Sequence, residues 1–212
     1  MQLNRKKEDE TKKYKQIIIK LNEKIKEIKE KEQELFNELL KAQGEKLKQA
    51  VINAFKYVGW HEVIDVDKYW ETKDASRKKE EDIWLFDDDD RSIEDKMIKD
   101  KILLIETKGS KGGATDDDCG TLQKYKARRM KEFNNTEMRA ILIGNYFNRN
   151  EAESRKNPFS LTQIEDAERD GNGLLITYEL FKAIKAEKEN KIEKQQIRHQ
   201  IKEKSGLIEF NY

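Results

Sequence analysis

The feature that most constrains this chain is the unbroken apolar run Ile-Leu-Leu-Ile at residues 102–105, in a sequence in which 41% of the residues are charged. A strand with one face in water alternates apolar and polar residues, whereas a strand covered on both faces is apolar throughout. Lys101 and Glu106 bound the run. The run therefore predicts the central strand of a sheet that is covered on both faces.

The segments around this run predict a mixed α/β sheet flanked by helices. Apolar residues recur at helical spacing from Leu47 to Val58, and a second helix is predicted over 121–133. Strand patterns cover 62–66, 82–86, 101–108 and 139–144, and the stretches 71–81, 87–90 and 109–120 are predicted loops or turns. The order is helix, three strands, helix, strand, which is typical of an α/β fold.

The C-terminal third predicts further helices and short strands. We expect a helix over 161–169 and a strand over 174–176. One long helix, capped by Thr177, is predicted from Tyr178 to about Lys202. A last short strand is predicted over 206–210.

The first forty residues predict a coiled-coil helix. Their apolar residues fall on alternating steps of three and four, with Glu32 as the one polar member of the seam. The apolar members are Tyr14, Ile18, Leu21, Ile25, Ile28, Leu35, Leu39 and Ala42. We expect this helix to pair with a second copy of the chain or with a partner helix. The alternative is a solvated helix that docks its thin apolar stripe on its own domain.

Composition narrows the classes of function. The 44 basic and 43 acidic residues nearly cancel, which argues against a polybasic tail protein and a strongly acidic mimic. One cysteine, Cys119, and two histidines cannot form a His/Cys zinc site within one chain. A catalytic metal would therefore be held mainly by carboxylates, as Mg²⁺, Mn²⁺ or Ca²⁺ is. No signal peptide or membrane-spanning run is evident, so we expect a cytoplasmic protein without a membrane partner.

Candidate chemistry lies at the end of the third predicted strand. Glu106 and Lys108 are two residues apart, so their side chains point to the same side of a strand. A carboxylate there can bind a divalent cation, and an ammonium can hold a water or neutralise charge on a phosphate. Another acid, Asp82, opens the preceding strand. The alternative is an ion pair of these acids with Lys108 or Arg91 at a sheet edge.

This ordered set resembles the PD-(D/E)xK nuclease superfamily, whose common core is helix, three strands, helix, strand. The first acid of that family would fall on Asp82, and its E-x-K pair on Glu106 and Lys108. Many members have a glutamine on the following helix, and Gln123 is placed to match it. The residue before Asp82 is Glu81 rather than proline, and Glu81 is the alternative first acid.

The resemblance implies a fold and a domain plan. The fold would be a restriction-endonuclease-like mixed sheet with long N-terminal and C-terminal helices. Residues 1–43 would form the coiled-coil helix and residues 44–183 the nuclease domain. Residues 184–212 would form a helical extension that ends in a short strand.

The resemblance also implies a metal-dependent endonuclease. Asp82 and Glu106 would hold Mg²⁺ or Mn²⁺, together with the backbone carbonyl of Thr107. Lys108 would orient a water or offset negative charge as it develops. Gln123 would donate a hydrogen bond to the water or to the phosphate.

A basic segment after the site predicts nucleic-acid binding. Five basic residues and no acid occur in 124–131, and at about 100° per residue Lys124, Arg128 and Lys131 share one face. Lys111 in the preceding loop adds a fourth contact. Such contacts neutralise phosphates without reading sequence, and we expect DNA as the partner, in a defence or repair context. The alternative is an exposed amphipathic helix whose basic side meets the acidic run 87–90.

Two other classes of function stay open. One is a catalytically silent module of the same fold that binds nucleic acid or protein. The other is a structural adaptor in which the sheet domain ends a coiled-coil stalk. The three charged residues at the site favour the enzyme over both classes. A homodimer formed through the N-terminal helix would hold two active sites together for cleavage of a duplex.

Overall fold

The structure, a computed structural model, describes residues 2–74, 76, 80–86 and 91–212, with side chains described outside 2–11 and 28–35. The chain divides into two compact units, Met1–Asn37 and Glu38–Tyr212. The turn predicted at 87–90 lies outside the described residues, as do the seam side chains predicted at Ile28 and Leu35. No helix among the described residues is long and apolar enough to cross a membrane.

The second unit contains a six-stranded mixed sheet, which confirms the predicted α/β class. Its strands are β1 (Glu62–Asp65), β2 (Ile83–Phe86), β3 (Ile102–Gly109), β4 (Met138–Asn145), β5 (Gly173–Ile176) and β6 (Gly206–Leu207). The strands lie in sequence order across the sheet. The pairs β1–β2 and β2–β3 are antiparallel, and the pairs from β3 to β6 are parallel.

The described residues form eight α-helices and one short 3-10 turn at Ala152–Ser154. The helices are α1 (Gln2–Lys41), α2 (Gly44–Tyr57), α3 (Val66–Lys73), α4 (Ile93–Lys99), α5 (Asp116–Phe133), α6 (Leu161–Arg169), α7 (Thr177–Lys188) and α8 (Lys194–Glu203). The observed order α2, β1 to β3, α5 and β4 contains the predicted order of helix, three strands, helix, strand.

The β3 strand is central and buried on both faces, as its apolar run predicts. Residues 102–105 are at most 7% exposed. On one face, Leu104 joins Trp84, Leu122 and Leu142 in a single apolar cluster beneath α5. The other face is covered by α2, whose fully buried residues are Leu47, Val51 and Phe55. This packing determines how far along β3 the side chains are buried before the strand reaches solvent.

The α5 helix begins at Asp116, five residues before the predicted start. Thr115 Oγ1 accepts a hydrogen bond from the Asp118 amide at 3.2 Å, and Asp118 Oδ2 accepts one from the Thr115 amide at 3.0 Å. This reciprocal capping box satisfies two amides that the first helical turn leaves without partners. The acidic residues 116–118 are also favourable near a helix N-terminus. The acidic run predicted as loop is therefore the first turn of the helix.

The single long helix predicted from 178 to 202 is two helices. The α7 helix ends at Lys188, and Asn190 takes the left-handed conformation with φ +57°. The turn carries Ile192 into the core, where it is 5% exposed. Burying an isoleucine side chain contributes about 1.5–3 kcal/mol to stability. Thr177 does not cap α7 but lies inside it, and its hydroxyl donates to Asn145 Oδ1 at 3.3 Å.

Two short helices, α3 and α4, have no counterpart among the predicted elements. Asp65 caps α3 by accepting from the Lys68 amide at 3.4 Å, and Ser92 caps α4 by accepting from the Asp95 amide at 3.2 Å. The α3 helix covers part of the stretch 71–81 that the charge pattern predicts as loop. Each helix also packs apolar residues on the core, Val66, Tyr69 and Trp70 from α3 and Ile93 and Met97 from α4.

The C-terminal residues complete the sheet unit. The Gly206 amide donates to the Asn172 carbonyl at 2.8 Å and starts β6 beside β5. On α8, Ile197 and Ile201 are fully buried. Residues 184–212 therefore contribute core side chains and an edge strand to the compact unit Glu38–Tyr212.

The last turn of α1 is fixed to β4 by hydrogen bonds to its carbonyl groups. Asn145 Nδ2 donates to the Ala42 carbonyl at 2.8 Å, and Arg155 Nη2 donates to the Leu40 carbonyl at 2.7 Å. Arg155 Nη1 also donates to Asn145 Oδ1 at 2.8 Å. Carbonyl groups at a helix C-terminus have no partner within the helix, so these donors satisfy them. Leu39 in the same turn is fully buried.

Candidate active site

The end of β3 carries an acid and a base on the same face. Glu106 is 4% exposed and Lys108 is more open to solvent. Lys108 Nζ lies 2.7 Å from Glu106 Oε1. Because strand residues two apart share a face, the buried part of β3 delivers the carboxylate to the rim of the core and the ammonium to the surface.

Asp82 lies beside this pair because β2 runs antiparallel to β3. Its backbone amide donates to the Ile105 carbonyl at 2.9 Å. Its Oδ2 accepts from the Thr107 amide at 2.7 Å and from the Thr107 hydroxyl at 2.6 Å. The start of β2 thus meets the end of β3, and the structure brings Asp82, Glu106 and Lys108 together.

The buried carboxylates at this site resist ionisation. Burial and the neighbouring Asp82 charge raise the pKa of Glu106 to about 7. Burial also raises the pKa of Asp82, although its hydrogen bonds from Thr107 act in the opposite direction. Glu106 Oε2 is enclosed and has no hydrogen-bond partner among the described residues. Two crowded carboxylates with an unsatisfied oxygen are an arrangement that an additional positive charge would stabilise.

The same groups fit a hard divalent cation. Mg²⁺ is bound by one or two carboxylates, with water completing the coordination, and it accepts backbone carbonyl oxygens. Asp82, Glu106 and the Thr107 carbonyl are the donors of this kind at the site. Within the described residues, no group of three or more His, Cys, Asp or Glu side chains is arranged to hold a metal. A cation here would therefore rely on two carboxylates.

Lys108 keeps its positive charge at this position. Burial alone would lower its pKa, but the hydrogen bond to Glu106 and the charges of Glu106, Asp118 and Asp82 outweigh burial and raise it. An ammonium held next to the carboxylate and still in contact with solvent can donate hydrogen bonds to a water or to a phosphate oxygen.

The alternative first acid, Glu81, has a different role. Glu81 is fully buried, and its Oε1 accepts from Trp84 Nε1 and from Arg129 Nε, both at 2.6 Å. Its carboxylate therefore neutralises a buried arginine. Arg91, which was the other candidate ion-pair partner for the acids at this site, forms an ion pair with Asp100, with 2.6 Å between its Nη2 and Asp100 Oδ1.

Gln123 lies on the side of α5 that faces α6. Its Oε1 accepts from Asn172 Nδ2 at 2.8 Å, and its side chain is exposed. A cavity of about 240 Å³ on this side is lined by Gln123 and Asn172 together with Cys119 and Asp166. On α5, Asp118 interacts electrostatically with Lys108, and the half-buried Tyr125 interacts with both Glu106 and Lys108. The pKa of Tyr125 is raised chiefly by burial.

A buried lysine that the sequence analysis does not select lies next to Asp82. Lys48 on α2 is 3% exposed, and its Nζ lies 2.9 Å from Glu45 Oε2, 3.2 Å from Asp65 Oδ1 and 2.9 Å from Asp67 Oδ2. Burial disfavours its charge, but these carboxylates outweigh burial and raise its pKa. Its positive charge also acts on Asp82. The sequence contains a signal for this buried residue, because Lys48 lies at helical spacing from Val51 and Phe55 on the apolar face of the helix.

The five basic residues of α5 divide between surface and interior. Lys124, Arg128 and Lys131 are exposed, and Arg128 forms an ion pair with Glu80. Lys126 and Arg129 are buried. Lys126 Nζ donates to the Asp170 carbonyl at 2.8 Å and to Asn172 Oδ1 at 2.9 Å. The face predicted for phosphate contact is therefore the exposed one, and Lys111 in the loop before α5 is exposed as well.

Comparison with known proteins gives evidence at the level of the fold. No family model and no curated protein sequence matches the chain. A solved structure of the restriction endonuclease FokI is similar with a TM-score of 0.51 and 15% sequence identity, over 82% of this chain and 30% of that chain. A structure of FokI bound to DNA is similar with a TM-score of 0.51 and 14% identity, over 84% of this chain and 30% of that chain.

This chain therefore spans about 30% of the length of the FokI chains that it matches. At 14–15% identity the similarity establishes a restriction-endonuclease-like fold. This fold agrees with the one implied by the sequence motifs.

Proposed function

We propose that this protein is a metal-dependent nuclease that hydrolyses phosphodiester bonds, and that it is an endonuclease of DNA that uses Mg²⁺ or Mn²⁺. The observation that carries the proposal is the convergence of Asp82, Glu106 and Lys108 at one end of β3, with Glu106 Oε2 enclosed and without a partner. Enclosing two carboxylates beside each other costs free energy unless a positive charge, such as a bound cation, offsets that cost.

Asp82 and Glu106, with the Thr107 carbonyl, would hold the cation. A bound divalent cation lowers the pKa of water and neutralises charge on a phosphodiester. Thr107 fixes one oxygen of Asp82 through two hydrogen bonds, so that carboxylate is already oriented before substrate arrives. Lys108 donates to the attacking water or to a phosphate oxygen, where its charge offsets the negative charge that develops. Gln123 has no role in this mechanism, because it lies on the side of α5 that faces α6 and its carbonyl accepts from Asn172.

DNA is the proposed substrate because exposed cations follow the site along the chain. Lys111, Lys124, Arg128 and Lys131 are exposed in or just before α5. Contacts of this kind bind phosphates and weaken as the salt concentration rises. One of the similar FokI structures is bound to DNA, which supports the choice of DNA. Contacts that do not read bases require control, so we place the activity in a defence or repair context.

We also propose that the protein is a homodimer through a coiled coil of α1. The seam residues Tyr14, Ile18, Leu21 and Ile25 are between 49% and 66% exposed. Large apolar residues repeated on one helical face in water favour pairing with another apolar face. Two copies of the site in one assembly would allow cleavage of both strands of a duplex.

Cleavage of plasmid DNA with and without Mg²⁺ tests the proposed activity. We expect Asp82→Asn and Lys108→Met to reduce Mg²⁺-dependent cleavage at least about 100-fold, because the first removes a carboxylate charge that would hold the cation and the second removes a positive charge that would offset charge on the phosphate. The matched controls are Asp117→Asn and Lys99→Met, which change exposed residues of the same types. Wild-type activity in the two site variants, or equal losses in the two controls, would contradict the proposal.

A further inference from the structure

The carboxylates around Lys48 bear on how many divalent cations the proposed centre binds. Enzymes that hydrolyse phosphodiester bonds use either one divalent cation or a pair about 3.5–4 Å apart. Because Mg²⁺ and Mn²⁺ favour oxygen ligands, a second cation next to the first needs carboxylates in addition to Asp82 and Glu106. Three acids pair with the buried Lys48, and we refer to this lysine with its partners, Glu45, Asp65 and Asp67, as the Lys48 cluster.

The Lys48 cluster adjoins Asp82. The Val66 amide donates to the Asp82 carbonyl at 3.0 Å, and the neighbours of Val66 in the chain are Asp65 and Asp67. The positive charge of Lys48 acts on the Asp82 carboxylate, as the charge of Lys108 does. The cluster therefore lies where a second cation would find further carboxylates.

The three acids of the Lys48 cluster are already engaged by other side chains. Lys48 Nζ lies 2.9–3.2 Å from one oxygen of each acid, and an ammonium has three donors to share among them. Gln49 Nε2 donates to Glu45 Oε1 at 2.9 Å and to Asp65 Oδ2 at 3.0 Å. Lys68 Nζ also lies 3.2 Å from Asp65 Oδ2. Because Lys48 is 3% exposed, its ammonium belongs to the interior and its partners are withheld from a metal.

The two proposed metal ligands differ from these acids because each keeps an oxygen for a cation. Glu106 Oε2 is enclosed and has no hydrogen-bond partner among the described residues. Both hydrogen bonds that Thr107 donates to Asp82 end on Oδ2, which leaves Oδ1 for a cation. One divalent cation can share these two oxygens, with water completing its coordination.

We infer that Lys48 is a positioning residue whose ammonium takes the place of a second divalent cation, so that the centre binds one Mg²⁺ or Mn²⁺ per chain. The single-cation centre presupposes the proposed metal-dependent activity. Lys48 supplies a permanent positive charge beside Asp82 and neutralises the carboxylates that would otherwise complete a second metal site.

Titration of the full chain with Mn²⁺ counts the bound ions, because electron paramagnetic resonance detects the free ion. The titration is done at about pH 8, above the pKa of about 7 of Glu106, with potassium chloride to suppress weak binding at surface acids. We expect one ion per wild-type chain. Glu106→Gln should raise the Kd at least about tenfold, because it removes a ligand. Asp67→Asn should keep one ion with a Kd within about twofold of the wild type, because Asp67 serves Lys48.

Substitutions of Lys48 test its role directly. Lys48→Met releases the acids of the cluster and should bind a second Mn²⁺ per chain, whereas Lys48→Arg keeps a positive charge and should bind one. The matched control is Lys46→Met, which changes an exposed lysine of the same helix and should bind one ion. Circular dichroism shows whether Lys48→Met is folded. If it is not, the counts for the wild type and Asp67→Asn decide the inference.

The counts distinguish failure of the inference from failure of the proposed function. Two Mn²⁺ per wild-type chain would overturn the inference and leave the nuclease proposal standing. No bound Mn²⁺ in the wild type would contradict the proposed function and the inference with it. A single ion in folded Lys48→Met, or loss of binding in Asp67→Asn, would show that Lys48 does not replace a cation.

Discussion

At the scale of single residues, the carboxyl group of Glu106 links the stability of the fold to its proposed chemistry. Its pKa is about 7 in the folded chain, against an ordinary value of 4.5. Between these values the folded chain keeps a proton that the unfolded chain has released. The free energy of unfolding therefore falls as pH rises from about 4.5 to about 7 through this group. The buried position of Glu106, which suits a bound cation, therefore lowers the free energy of unfolding of the cation-free protein.

Glu106→Gln should remove this cost. The variant should be more stable than the wild type by about 1–3 kcal/mol at about pH 8 in EDTA, and the difference should shrink towards about pH 5. Urea unfolding at several pH values measures it. Glu165→Gln, which changes an exposed glutamate, should follow the wild-type curve. Parallel pH dependences for Glu106→Gln and the wild type would show that Glu106 titrates normally.

The residues that the sequence analysis did not select are those whose role depends on burial. The pattern Glu106-x-Lys108 is local, so strand geometry alone predicts that both side chains share a face. Lys48 acts on Asp82 from a buried position because three carboxylates stabilise its charge, Glu45 from the same helix and Asp65 and Asp67 from the segment after it. Gln123 was selected from the sequence, but its hydrogen-bond partner Asn172 is 49 residues away, and sequence spacing does not predict that contact.

At the scale of elements, a buried arginine joins α5 to the start of β2. Arg129 is fully buried, with its Nε 2.6 Å from Glu81 Oε1 and its Nη1 2.6 Å from Glu132 Oε2. Its guanidinium also lies 5.8 Å from the Trp70 ring and 5.6 Å from the Trp84 ring. Glu81 immediately precedes Asp82, so this cluster holds the segment that presents the proposed metal-binding carboxylate.

Arg129→Met should destabilise the protein by about 3–5 kcal/mol, because it leaves the Glu81 carboxylate buried without its cation. Adding Glu81→Gln should recover part of the loss. The neighbouring exposed Arg128→Met should cost at most about 1 kcal/mol, since its ion pair with Glu80 is at the surface. Denaturant unfolding measures all three variants. Similar losses for Arg128→Met and Arg129→Met would argue against a buried ion pair.

Helix boundaries were predictable only where an apolar pattern defines them. The apolar residues of α2 and the buried run of β3 identify both elements. The start of α5 depends on the capping box of Thr115 and Asp118, in a segment whose acidity is also typical of a loop. The break between α7 and α8 depends on the burial of Ile192, which is a single residue in a polar stretch. The spacing of apolar residues in the sequence predicts neither the capping box nor the break between the two helices.

At the scale of the whole molecule, the seam on α1 predicts the oligomeric state. Ile18→Asp together with Ile25→Asp should convert a dimer into a monomer, because two charges would enter the apolar seam. Ile19 is as exposed as Ile18, at 57% against 56%, but lies about 100° from it around the helix. Light scattering of the full chain measures the mass.

The control for this prediction is Ile19→Asp, which should remain dimeric. A monomeric wild type would contradict the proposed coiled coil. A dimer that survives the seam variant would place the interface elsewhere.

The α/β class and the order of the core elements were predictable because they follow from local hydrophobic patterns. The proximity of Asp82 and Glu106 was also predictable, because an acid before one strand and an acid near the end of its antiparallel neighbour lie close together when the strands pair in this register. The choice between Glu81 and Asp82 did not follow. Adjacent strand residues point to opposite faces, and only the packed sheet shows which face holds Arg129.

The antiparallel pairing of β2 with β3 has a consequence for how this protein could change in evolution. Asp82 directly precedes β2 and Glu106 follows the part of β3 that pairs with β2, so the polypeptide that joins the strands leaves the sheet at the end remote from both carboxylates. Its length is not coupled to the spacing of the two acids. Insertions or whole accessory modules could be accepted between Phe86 and Ile102 while the relative positions of Asp82 and Glu106 are kept.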